Sequence, residues 1–268
     1  MKILIYLIAG VALFGGGIKN KAYCQVVLQN TDSAIKIYAV DPAKKIMKSY
    51  HQEKLNYVNW KGLLQKNVSA KGKVDYVGFK RDAKDFNEFL RQLSSTKITS
   101  AWSKEDKIAY WINVYNAYTI KLIVDNFPLK SIKELDNPWN KKFFAINGIW
   151  MSLGEVEHQV LRNFGDPRIH FAINCASASC PRLIQIPYTA KNLDRLLERQ
   201  TDEFINDPFY NTISGYTVNV SKLFDWYKKD FKSTDGSVIK FINKYSNVPI
   251  SDQKDKGYKT YDWSINAK

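Results

Sequence analysis

The chain has 268 residues, of which 45% are hydrophobic and 14% aromatic, and a formal net charge of +14. That is apolar side chain enough for one large domain or two small ones. No P-loop, dinucleotide fingerprint, calcium loop or zinc-protease pattern occurs, and the lysines are scattered over a solvated surface with no single basic block, so no nucleic acid partner is expected.

The chain opens with "MKILIYLIAGVALFGGGIKNKAYCQ". Lys2 supplies a basic start, Ile3 to Gly17 an apolar run too short for a comfortable membrane span, and Ala22 and Cys24 the small residues before a cut at Gln25. Residues 1–24 are therefore expected to be a signal peptide and 25–268 a single domain. Two alternatives stand beside it: a lipoprotein modified at Cys24, disfavoured by bulky Tyr23, and an uncleaved anchor, favoured by Lys19 and Lys21. The expected location is periplasmic or extracellular, with membrane contact only through the signal segment. Cleavage removes Lys2, Lys19 and Lys21, taking the charge from +14 to +11, and leaves two cysteines. A basic exported protein points to anionic envelope polymers or lipid surfaces.

Further along, Leu55, Val58, Leu63 and Leu64 predict a helix over 51–66, "SAKGKVDYVGF" a turn and short strand, and Phe86, Phe89, Leu90 and Leu93 a helix over 82–93. The longest helix is predicted from Ser103 to Phe127, opened by a Ser103/Asp106 capping box and stopped by Pro128. "FFAINGIWMSL" reads as a hairpin turning at Asn147-Gly148. Ser152 and Glu155 form a second capping box, opening a helix that Gly165 ends. Asp166-Pro167 turns the chain into "RIHFAIN", which alternates like a strand. Helices follow at about 189–206, 221–231 and 237–245, with "YTVNV" as a strand between the first two. No βαβ rhythm is present, so the class is α+β, with helices packed on a small, mostly antiparallel sheet.

Several polar residues stand where apolar ones are expected. On a helical wheel of 153–164, Glu157 falls near the centre of the face made by Leu153, Val156, Val160, Leu161 and Phe164, with His158 on the other side. A carboxylate aimed at a core needs a partner, either an arginine such as Arg168 in a structural pair or a histidine that it orients. In the long helix, with Lys107, Lys121 and Asp125 on its wet side, Asn116 sits among the apolar residues and Asn113 on their flank. Such amides tie down loop backbone, orient a catalytic side chain or hold a substrate carbonyl. On the predicted strand Arg168, His170, Ala172 and Asn174 share one face, placing His170 toward a groove within reach of Glu157.

Cys175 then opens a turn of small residues, "CASASCP", where serines such as Ser177 and free backbone N–H groups can stabilise a thiolate and an oxyanion. Cys180, before Pro181, is the weaker nucleophile. A Cys175–Cys180 disulfide, a zinc site with His158 and His170, and two inert thiols are the alternatives. Catalysis requires the chain to bend at 174–176, because an unbroken strand points His170 and Cys175 to opposite faces.

"YWINVYNAY" (110–118), "GIWMSLGEVEHQVLR" (148–162), "RIHFAINCASASCPRL" (168–183) and "LFDWYKKDF" (223–231) together resemble the family called domain of unknown function 547. The resemblance covers about 50–245, and the family, found in exported bacterial and in plant proteins, is generally unassigned in function. It implies Asn113, Asn116, Glu157, His158, His170 and Cys175 as site residues. Plant-type members often carry serine at the position like Cys180, which favours Cys175. The family looks similar to papain-like or transglutaminase-like thiol enzymes, although here His170 precedes Cys175, the reverse of the papain order.

The expected function is an exported thiol-dependent hydrolase or acyl transferase acting on an amide or ester, such as a peptide. Cys175 is the nucleophile, His170 the base, Glu157 its orienter and His158 the reserve base; Asn113, Asn116, Arg168 and Ser177 support or bind. No cofactor or metal is expected. The alternative is a non-catalytic envelope-binding module, with a structural cysteine pair and with Trp139, Trp150, Trp226 and Trp263 as contacts. A redox role for the cysteine pair is the third reading, although its spacing is not CxxC.

Overall fold

Every residue from 108 to 120 is buried in the computed structural model, which describes residues 25–31, 34–40, 55–214, 217–251 and 257–268. The signal-peptide and Cys24 expectations, and the first residues of the helix expected over 51–66, lie outside the described residues. The long helix runs Lys104–Asn126, opened by the reciprocal Ser103/Asp106 capping box. Its wet side is confined to its ends, because "IAYWINVYNAYTI" is mostly apolar or aromatic, and its polar members Asn113, Asn116 and Thr119 are buried as well. The helices at 76–81, 83–95, 153–164 and 193–206 pack around it.

The chain divides into two units at Lys54–Leu55. The first contains the antiparallel hairpin Gln25–Thr31 with Ala34–Val40. The second holds two small sheets: the hairpin Phe144–Ile146 with Ile149–Met151, and a three-stranded sheet of Thr212–Ile213, Val218–Val220 and Gly257–Tyr258 whose last pair is parallel. The fold is α+β. Among the described residues no helix is long and apolar enough to cross a membrane.

Most predicted elements are present: helices Val58–Asn67, Ala83–Ser95, Leu193–Asn206 and Val238–Asn243, and the hairpin turn, with positive φ at both Asn147 and Gly148. Four local expectations fail. Val58 is 69% exposed at the start of its helix, which instead buries Trp60, Leu63, Leu64 and Asn67. The strand read in "KVDYVGF" is a helix, Tyr76–Arg81, because the Asp75 side chain accepts from the Gly78 amide and caps it. The helix over 221–231 is two, Leu223–Trp226 and Lys228–Asp235.

The fourth failure bears on the site. "RIHFAIN" is no strand; Pro167–Phe171 is a 3-10 helix with Asp166 as cap and Pro167 at its first position. The alternation is real but its geometry differs. Ile169 packs into the cluster around the long helix, whereas Phe171 enters a second cluster with Phe204, Phe224, Phe231 and Phe241. A segment wedged between two apolar clusters buries side chains on both sides, and a one-sided strand cannot do that.

Candidate active site

Ser152 and Glu155 cap the 153–164 helix reciprocally, and Gly165 closes it with φ 74°. Its middle, Val156–Leu161, is wound as a π-helix, a local widening that often marks function. Gly154 is needed near its start: a Cβ there would lie 3.0 Å from both the Asn140 side chain and the Trp139 carbonyl. That close approach, with the Gly154 amide donating to Trp139 at 2.7 Å, sets Trp139 against the helix.

Glu157 is buried, at 5% exposure, as the wheel requires. Its partner is neither Arg168 nor His170. Its Oε2 accepts from the Tyr115 hydroxyl at 3.3 Å, and its Oε1 has no partner among the described residues. Arg168 turns outward to Asp166, Asp194 and Glu198 and lies away from the cavity described below.

The orienter of His170 is Asp230, on the Lys228–Asp235 helix. His170 Nε2 lies 2.8 Å from Asp230 Oδ2, and Arg162 donates to the same carboxylate through Nε and Nη2 at 2.7 Å each. Burial pushes the Asp230 carboxyl up, but His170 and Arg162 outweigh it and hold the group well below the usual carboxylate range. With Asp230 ionised, Nε2 carries the imidazole proton, and Nδ1, buried without a partner among the described residues, is the basic nitrogen. The ring stacks on Tyr227 at 3.8 Å between centroids. His158 is exposed, with Nδ1 3.3 Å from Arg162 Nη1.

The turn after His170 bends at Ala176, but among the described residues no hydrogen bond joins His170 to Cys175: the sulfur meets Ser177 and Tyr261, and His170 Nδ1 meets no partner. Ala176 has φ 63°, a left-handed conformation costing about 1–2 kcal/mol for a residue with a Cβ. The Asn174 side chain accepts from the Ala176 amide at 2.9 Å and holds the bend. Asn116 anchors it from the long helix, donating to Ala172 O at 2.9 Å and accepting from Asn174 N at 2.8 Å. Asn113 does its work elsewhere, clasping Tyr188 N and O and the Trp60 indole.

Cys175 and Cys180 are free thiols. Cys175 Sγ lies 3.1 Å from Ser177 Oγ and 3.4 Å from the Tyr261 hydroxyl, and its amide donates to Cys180 Sγ at 3.0 Å. The neighbouring Cys180 thiol, and then the Ser177 and Tyr261 hydroxyls, outweigh burial and bring the Cys175 thiol down to about 7. Burial and the adjacent Cys175 push Cys180 the other way. The backbone N–H groups expected as oxyanion donors are largely spent: Ala176 donates to Asn174, Ala178 to Ser264, Ser179 to Asp262 and Cys180 to Ser177.

Two of those bonds stitch the turn to the C-terminal segment 262–268, which also pairs with Lys130, Ser131 and Val74. The segment and the residues just before it bring Tyr261 and Trp263 to the site. Nothing in their local pattern singled out Tyr261, Tyr115, Tyr227 or Asp230; Tyr115, Tyr227 and Asp230 lay within the quoted stretches, and only tertiary packing gives them a role.

Glu157, His158, His170, Cys175 and Cys180 line one cavity of about 320 Å³, with Tyr115, Tyr227 and Tyr261 and the indoles of Trp139, Trp226 and Trp263. Among the described residues no group of three or more His, Cys, Asp or Glu is placed to hold a metal ion. Residues 99–205 match a family described as "Protein of unknown function, DUF547". The chain carries a domain of this family. No curated protein matches the chain, and neither does any solved structure. The DUF547 span holds Glu157, His170 and both cysteines, but Asp230, Tyr227, Trp226, Tyr261 and Trp263 come from beyond its end. The cavity is thus walled jointly by the family segment and the C-terminal part of the chain.

Proposed function

We propose that the protein is a thiol-dependent hydrolase or acyl transferase acting on an amide or ester. The observation that carries the reading is one cavity lined by a thiol drawn down to about 7 and by a histidine held by a carboxylate. His170 Nδ1 takes the Cys175 proton, and the sulfur attacks the substrate carbonyl carbon. The C–S bond forms as the carbonyl electron pair moves to oxygen. Collapse breaks the C–N or C–O bond, and the leaving amine or alcohol takes the proton from His170. Water, deprotonated by His170, then attacks the thioester and releases the acid and the thiol; an amine or alcohol in place of water gives transfer. Asp230 fixes the imidazole and stabilises its cation, the role first expected of Glu157. With most turn amides occupied, the Ser177 amide, which bonds the Cys175 sulfur, and the Ser177 and Tyr261 hydroxyls are the donors for the oxyanion.

The test uses p-nitrophenyl acetate as a generic acyl donor. The expected result is a burst of about one p-nitrophenolate per chain and one acetyl group on the Cys175 peptide by mass spectrometry, both lost in Cys175→Ala. Acetylation elsewhere, or none, overturns the reading. The binding-module alternative draws on the hairpin tip, where Ile149 and Trp150 are 68% and 60% exposed; it leaves the His170–Asp230 pair and the lowered thiol without a purpose. Export remains part of the proposal, checked by a mature N-terminus at Gln25.

A further inference from the structure

The cavity has a charge character opposite to that of the molecule around it. The chain carries a formal +14, yet among the described residues no lysine or arginine lines the cavity. Arg162, just behind the wall, is bonded at two nitrogens by Asp230 and also feels the Glu157 charge. Glu157 is the carboxylate of the lining; two phenols, Tyr115 on Oε2 and Tyr227, bond to it, and Oε1 makes no close hydrogen bond among the described residues. A carboxylate buried to this degree needs further donors or a counter-charge.

The walls around it suit a cation. Tyr115, Trp139, Trp226, Tyr227, Tyr261 and Trp263 line the same space, and the faces of such rings attract ammonium groups. One of them already does so: Lys133 Nζ sits 4.3 Å from the centre of the Trp263 ring. Trp226, Tyr261 and Trp263 hold one another in contact, with centroids 4.5–5.6 Å apart, so the wall is pre-formed.

We propose that this cavity is a subsite for an ammonium-bearing group of the substrate, its charge meeting Glu157 and its alkyl stem lying on the aromatic wall. The proposal rests on the acyl-transfer reading and names its substrate class: an amine-bearing amide or ester. It also separates the basic outer surface, suited to anionic polymers, from a cavity suited to a cation.

The test is calorimetric titration of the full chain with n-butylammonium, n-butanol and butyrate, three probes of similar size and different charge, followed in parallel by tryptophan fluorescence. The expected result is saturable binding of butylammonium at least about tenfold tighter than butanol, with butyrate weakest. Glu157→Gln should bring butylammonium down to the level of butanol. Equal binding of the ammonium and the alcohol, no binding of the ammonium, or full retention in a folded Glu157→Gln protein overturns the proposal. If Glu157→Gln does not fold, the three-ligand series on the unaltered protein decides alone. Cys175→Ala should keep the charge preference. Charge preference without acetylation of Cys175 sinks the acyl-transfer reading and spares the subsite; acetylation without charge preference does the reverse.

Discussion

The long helix 104–126 and the segment 166–180 supply opposite sides of the same problem. The helix is buried all round from 108 to 120, regular, and closed at its start by its own side chains. The segment contains one 3-10 turn, a left-handed alanine and a series of bonds to distant parts of the chain. Yet the segment carries His170 and Cys175, and the helix lends it Asn116. A rigid buried element holds an irregular one in a strained shape, and the irregular one carries the candidate site residues.

That contrast can be broken in order of expected effect. Cys175→Ala should abolish iodoacetamide labelling of the 166–180 peptide near neutral pH, at least about a hundredfold, since Cys180 is buried and titrates high. Persistent labelling there would move the reactive thiol elsewhere.

Cys180→Ala sharpens the electrostatic part. Cys175 forms its thiolate as pH rises through about 7 because the Cys180 thiol favours the charged form. Without it, the labelling midpoint should climb toward the ordinary thiol value near 8.5, and the rate at pH 6 should fall about thirtyfold. An unmoved pH profile would show that the cysteine pair is not what lowers the thiol.

Asn116→Leu tests the anchor. It strands the buried Ala172 carbonyl and Asn174 amide and should cost about 2–4 kcal/mol in urea unfolding. Labelling of Cys175 should slow as well; unchanged labelling would mean that the turn holds itself.

Asp230→Asn should do less, because the carboxylate is 21% exposed and partly screened. Its folded pKa is depressed, so its contribution is present above the ordinary carboxylate pKa and is lost as pH falls through the folded value. The variant should lower the urea midpoint at pH 7 and flatten the loss of stability on acidification below about pH 4. An equally steep acid limb would assign it to other groups.

Smallest is Ser103→Ala, which removes a cap at an exposed helix end and should cost about 1 kcal/mol with no change in labelling.

The parts of the fold that were legible are those set by neighbours in sequence. Ser103 with Asp106, Ser152 with Glu155, and Asn147-Gly148 each satisfy or shape local backbone, so their residue types declare them. The burial of Glu157 was legible for the same reason: helical spacing alone sets it among Leu153, Val156 and Leu161. Its partner was not, because Tyr115 is 42 residues away. Asp230 was hidden further still, reading as one more charge in a lysine-rich helix until His170, 60 residues before it, meets it across the second apolar cluster.

What the sequence determined by itself was the set of reactive groups: a histidine, a bend-prone turn of small residues and a thiol, five positions apart from His170 to Cys175. The tertiary structure alone decided how they are wired. It replaced the strand by a 3-10 turn between two apolar clusters, gave His170 to Asp230 in place of Glu157, left Glu157 Oε1 buried without a close partner among the described residues, and spent two of the turn's amides on the C-terminal segment. Hydrogen-bond partners between distant segments depend on which surfaces the apolar clusters bring together, and that is a property of the whole packed chain, absent from any local window.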